Sequence, residues 1–162
     1  MESLVELAAR VGELLKERGW TVGTAESCTG GLVAHAITNI SGSSAYFIGA
    51  IVAYANQAKM DLLNVPAALL VKHGAVSQEV ALAMARGVRR ALRTDIGVAT
   101  TGIAGPTGGT PQKPVGSVYI ALSSPLGERV GHHVWDRDRL GNKCRTARAA
   151  LALLAEQLSM SK

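Results

Sequence analysis

Thr21-Val22-Gly23-Thr24-Ala25-Glu26-Ser27-Cys28-Thr29-Gly30-Gly31 is the stretch that decides the fold. Thr21 to Ala25 reads as a short strand and Gly30 to Thr38 as a helix, so Glu26–Gly31 forms a strand-to-helix turn. Such a turn exposes side chains and leaves backbone N–H groups free to face an anion. This one offers a hydroxyl, a thiol, a second hydroxyl and adjacent glycines. Three further segments look like parts of the same site: Gly42-Ser43-Ser44, Tyr54-Ala55-Asn56-Gln57-Ala58-Lys59, and Thr101-Gly102-Ile103-Ala104-Gly105-Pro106-Thr107-Gly108-Gly109.

Working outward, Leu4, Leu7, Ala8, Val11, Leu14 and Leu15 recur at helical spacing over residues 2–18, and Gly19 ends that helix. Tyr46–Tyr54 is apolar and β-rich enough for a central strand. Asn56–Leu63 reads as a short helix, and Pro66 opens another. Ser77 is a good N-cap, with Glu79 in the first turn, for a helix reaching about Arg93. Asp95–Thr101 is a strand that ends at the glycine-rich loop. Gly116–Ser124 and Glu128–Trp135 flank Pro125-Leu126-Gly127 as a hairpin. Asn142–Leu158 is a closing amphipathic helix. Alternating helices and strands predict an α/β fold, a three-layer α/β/α sandwich with a mixed, mainly parallel sheet. Residues 1–162 are expected to form one domain, with no repeat or linker.

The composition, 48% hydrophobic and 18% charged, allows a sizeable core. With aromatics at 4%, that core must be built from Ala, Val, Leu and Ile. The net charge of +5 is consistent with an anionic small-molecule substrate. No Lys/Arg block carries interleaved aromatics, which argues against a nucleic-acid partner. Arg86, Arg89, Arg90 and Arg93 follow helical spacing and read as a solvated face. Cys28 and Cys144 form no CxxC pair, and no secretory signal or bilayer-length apolar run is present, so a cytoplasmic protein without a membrane partner is expected. His35, His73, His132 and His133 share no metal-ligand spacing, and the last pair reads as surface. No metal, disulfide or cofactor is expected.

Ser27 is the first candidate nucleophile, and a serine needs a base. No His or Asp is placed by sequence to complete a triad, which directs attention to Lys59. Burial disfavours the charged form of a lysine and lowers its pKa towards a useful range. A neutral Lys59 would take the serine proton and return one to the leaving group. Other readings stand beside these. Lys59 also reads as a solvated helix residue, as most lysines are, and Ser27 as an N-cap. Tyr54 would bond the lysine, relay its proton or pack at a strand end. Cys28 is either a rival nucleophile or a small core filler. The Thr101–Gly109 loop is neither a Walker loop nor a dinucleotide fingerprint. Its place at the carboxyl edge of a sheet suits a ligand, or a plain crossing loop. In Asp136-Arg137-Asp138-Arg139 an arginine would hold a phosphate bidentately, or the four would form an exposed salt-bridge cluster.

Taken together, these segments resemble the CinA C-terminal family, also called the nicotinamide-nucleotide amidases. The motifs occur in order over nearly the whole chain: Ala25 through Gly31, Gly42 through Phe47, Tyr54 through Lys59, Gly74-Ala75-Val76-Ser77, Thr101 through Gly109, and Lys113-Pro114-Val115-Gly116. The resemblance implies a metal-free serine-type amidase that converts nicotinamide mononucleotide to nicotinic acid mononucleotide and ammonia, in pyridine-nucleotide salvage. It implies Ser27 as nucleophile and Lys59 as base, with Ser44, Tyr54 and Thr101 as supporting hydroxyls. Arg139 maps best to the family's late arginine, a phosphate or substrate contact, although the doubled Asp-Arg also permits Arg137. Thr29, Gly30, Gly31, Gly42, Asn56, Gly102 and Gly105 fall on substrate-binding segments, and the amides of Thr29, Gly30 and Gly31 are candidate oxyanion donors. The resemblance also suggests a homodimer and the family's stand-alone form. A nucleotide-binding module without turnover, or an amidase for another carboxamide, are the alternatives.

Overall fold

The computed structural model describes residues 1–161. In chain order the elements are α1 (Leu4–Arg18), β1 (Val22–Glu26), α2 (Leu32–Thr38), a 3-10 turn (Ser43–Ala45), β2 (Phe47–Val52), α3 (Asn56–Leu63), α4 (Ala67–His73), α5 (Gln78–Leu92), β3 (Ile96–Gly102), β4 (Ser117–Ser124), β5 (Gly127–Val134) and α6 (Arg139–Leu158). The strands form one five-stranded sheet in the order β2-β1-β3-β4-β5. β2, β1 and β3 pair in parallel, while β3–β4 and β4–β5 pair antiparallel. Only β4 therefore opposes the common strand direction.

Helices cover both faces, which completes the three-layer α/β/α sandwich. On one face α1, α2 and α6 pack over Val22, Ile96, Val98, Ile120 and Leu122. On the other, α5 lies over Ala25, Ala99 and Ala121, with α3 and α4 beside it. The α5 face is paved with small residues because the helix lies very close. A Cβ at Gly97 would stand 2.1 Å from the Ala85 carbonyl oxygen of α5. Gly97→Ala is thus expected to push α5 off the sheet and cost about 1–3 kcal/mol, the usual scale of overpacking. Urea unfolding would read this as a lower midpoint with an unchanged slope.

Two expectations need correcting. Tyr46–Tyr54 is not central: its regular part, β2, is an edge strand, and β3 takes the central place. The edge position shows in an alternating burial pattern, with Ile48 50% and Val52 46% exposed. Its apolar run resembled a doubly covered strand because the sheet face beyond α2 is left open. The last helix begins at Arg139 rather than Asn142, because the Asp138 side chain accepts from Gly141 N–H and caps it there. The helix at Ser77 starts as expected, with the serine hydroxyl accepting from Val80 N–H. Among the described residues no helix is long and apolar enough to cross a membrane.

Candidate active site

The sheet's carboxyl edge collects the reactive side chains. Ser27 follows β1 directly, its N–H donating to the Thr100 carbonyl of β3 at 3.0 Å. Glu26, the last residue of β1, is fully buried and organises the turn. Its carboxylate accepts from the Thr29 hydroxyl at 2.6 Å and from the N–H groups of Val33 and Ala34 at 2.9 and 3.0 Å. One side chain thereby ties the strand end to the first turn of α2 and forces residues 27–31 into a tight loop. Gly30 and Gly31 complete it with φ of 61° and 102°, which favour glycine.

Lys59 lies on the inner face of α3 and is only 1% exposed. Its Nζ stands 3.0 Å from Ser27 Oγ, 3.0 Å from the Ala53 carbonyl and 2.9 Å from the Tyr54 carbonyl. Burial holds its pKa below the ordinary lysine value. Among the described residues no carboxylate is bonded to it to offset that loss of water. The two carbonyls can only accept, so each takes one N–H of Lys59. The third position on Nζ faces the Ser27 hydroxyl oxygen.

Around this pair is a cleft of about 220 Å³ whose walls include Tyr54, Asn56, Ala75, Val76, Thr101, Gly102 and Arg139. Arg139 spans its mouth, donating to the Gly105 carbonyl at 2.8 Å and to the Tyr54 hydroxyl at 3.2 Å. Arg137 lies outside the cleft and faces Asp136 at 3.6 Å. Tyr54 meets the lysine through its carbonyl, not its hydroxyl. The Thr101 hydroxyl donates to the Ala75 carbonyl at 2.8 Å and so fixes the loop after α4 instead of touching Ser27. Gly105 contributes its carbonyl to Arg139.

Gly42 and Ser44 are not brought to this cleft. They precede β2, beside Tyr46, whose carbonyl accepts from Val22 N–H at the opposite end of β1. A whole strand length separates them from Ser27 within one chain. Thr29, Gly30 and Gly31 line an adjoining cleft between α2 and α6. The Gly30 N–H is already bonded to the Ser27 carbonyl. Among the described residues the amides of Cys28, Thr29 and Gly31 have no acceptor. Cys28 is buried, which pushes its thiol up to about 12 and keeps it protonated. Among the described residues no group of at least three His, Cys, Asp or Glu side chains is placed to hold a metal ion.

Glu26 had no role in the sequence reading. Its signal was available: an acidic residue ending an otherwise buried strand needs donors, and the following helix start supplies them.

The CinA C-terminal domain matches residues 4–158. The chain belongs to the CinA C-terminal domain family. It is 49% identical over 156 residues to a CinA-like protein of Salinibacter ruber, a match covering 96% of this chain and 38% of that protein. It is 51% identical over 144 residues to a CinA-like protein of Syntrophobacter fumaroxidans, covering 89% of this chain and 34% of that one. The chain thus spans little more than a third of these curated relatives. Among solved structures it is similar to a competence/damage inducible protein of Agrobacterium tumefaciens, with a TM-score of 0.91 and 43% identity over 97% of this chain and 96% of that one. A competence damage-inducible protein of Klebsiella pneumoniae gives a TM-score of 0.95 and 33% identity over 99% of this chain and all of that one.

Proposed function

We propose that this CinA-family chain is an amidase that deamidates nicotinamide mononucleotide to nicotinic acid mononucleotide and ammonia by a Ser–Lys mechanism. The observation that carries this reading is the 3.0 Å contact between Lys59 Nζ and Ser27 Oγ in a setting that favours neutral lysine. Neutral Lys59 takes the hydroxyl proton as Ser27 Oγ attacks the carboxamide carbon. The amides of Cys28, Thr29 and Gly31 are the available donors for the resulting oxyanion, each such bond being worth about 3–4 kcal/mol in the transition state. The lysine then returns its proton to the amide nitrogen, the C–N bond breaks and ammonia leaves. Water, losing a proton to Lys59, hydrolyses the acyl-enzyme to the carboxylate.

Arg139 and Asn56 border the reacting end of the substrate, and Tyr54 positions Arg139. The same reading places the protein in the cytoplasm as a homodimer. Exposed Ile48 and Val52 on the open edge strand β2 support a second copy there.

The test is ammonia release from nicotinamide mononucleotide by the purified chain, with related amides as comparison. No release by folded protein would overturn the reading. Cys28→Ala is expected to keep activity within a few-fold, because a thiol at about 12 is not a nucleophile at neutral pH. A large loss in that variant, with the fold intact, would transfer the nucleophile's role to Cys28.

A further inference from the structure

The cleft at Ser27 is small. Its volume of about 220 Å³ lies below the roughly 300–1,000 Å³ of small-molecule sites. A second cleft of about 450 Å³ adjoins it, with Leu32, Leu140 and Cys144 as apolar walls. The two clefts use the same two segments. Cys28 borders the first and Thr29 the second, and on α6 Arg139 borders the first and Leu140 the second. A ligand reaching from Ser27 past these residues would meet both clefts.

The charge in the second cleft comes from Lys143. Among the described residues no carboxylate lines it. The other cations of α6 are engaged: Arg139 with Gly105 and Tyr54, Arg145 over the Trp135 ring, and Arg148 with the Glu2 carbonyl. Among the described residues Lys143 has no ion-pair or hydrogen-bond partner. Its Nζ lies 3.5 Å from where a Cβ on Gly30 would stand, so the ammonium overhangs the turn that carries Ser27. Arg139 and Lys143 are four residues apart and share one helix face.

We infer that Lys143 binds the substrate's phosphate in the cleft between α2 and α6 and sets the preference for a nucleotide over its nucleoside. Arg139 is already bonded to the Gly105 carbonyl and the Tyr54 hydroxyl, which leaves Lys143 as the free cation of this helix face among the described residues. This assignment rests on the amidase reading for its substrate, but not for its anion chemistry.

The experiment compares kcat/KM for nicotinamide mononucleotide and its dephosphorylated nucleoside in the parent, Lys143→Ala and Lys143→Arg. A charge-assisted contact predicts that the nucleotide-to-nucleoside ratio falls roughly 10- to 100-fold in Lys143→Ala, through KM rather than kcat. Lys143→Arg should restore most of it. An unchanged ratio in folded Lys143→Ala would overturn the inference. If the parent releases ammonia from neither substrate, the amidase reading fails, and calorimetric titration with ribose 5-phosphate decides the subsite separately. Binding that weakens 10-fold or more in Lys143→Ala keeps it, and binding that is absent or equal in both proteins removes it.

Discussion

Replacing Ser27 with alanine is expected to abolish ammonia release, with a loss approaching the roughly 10⁶-fold seen when a serine nucleophile is removed. Ser27 is the only hydroxyl bonded to Lys59 among the described residues. Neither Thr29 nor Thr101 is free to replace it: the first is bonded to Glu26, the second to the Ala75 carbonyl. The substitution removes a small, 8% exposed hydroxyl from a turn held by Glu26, so stability should change by only about 1 kcal/mol. Unfolding and turnover measured on the same preparation would separate the two effects. A folded Ser27→Ala protein that still releases ammonia through a chemically trapped acyl-enzyme would mean another nucleophile.

Lys59→Met should be severe but milder, since it removes the proposed base while filling a similar volume. General-base removal alone predicts about a 10²- to 10⁴-fold loss. The parent carries a further signature. Its lysine pKa is lowered by burial, and the neutral form is the active one, so kcat/KM should rise with pH through that lowered pKa and then level off. Stability follows the same sign. Between the lowered folded pKa and the ordinary lysine value, the unfolded chain binds the proton that the folded one resists, so stability rises with pH there. Below that window the full penalty for burying the amine is present. The difference in stability between parent and Lys59→Met should therefore shift in the parent's favour as pH is raised. A flat difference would show that Lys59 stays charged in the fold.

The elements closest to expectation are those set by local chemistry. Asn56–Leu63 was read from its own residues, and the Ser77 cap from a hydroxyl within reach of N–H groups only three residues on. The Ser27 turn was legible for the same reason, since the strand end, paired glycines and helix start are consecutive. The apolar run of β2 could not report whether a neighbour lies on one side or two, because strand order is settled by long-range pairing. The start of α6 was obscured by Gly141, a poor helix former, although Asp138 caps the helix before it.

By itself, the sequence determined the α/β alternation, the family and the segments that carry Ser27, Lys59 and Arg139. Hydrophobic period, caps and turn residues act over a few neighbours, and the order of motifs survives in the chain. Only the tertiary structure decided which of those segments meet. It brought Lys59 against Ser27, bonded Arg139 across the cleft to Tyr54, left Gly42 and Ser44 at the far end of β1, and left Lys143 unpaired among the described residues beside the turn. Contacts between residues distant in sequence depend on how the sheet orders its strands and how closely α5 and α6 pack against it. Burial, which lowers the pKa of Lys59, exists only once that packing is complete.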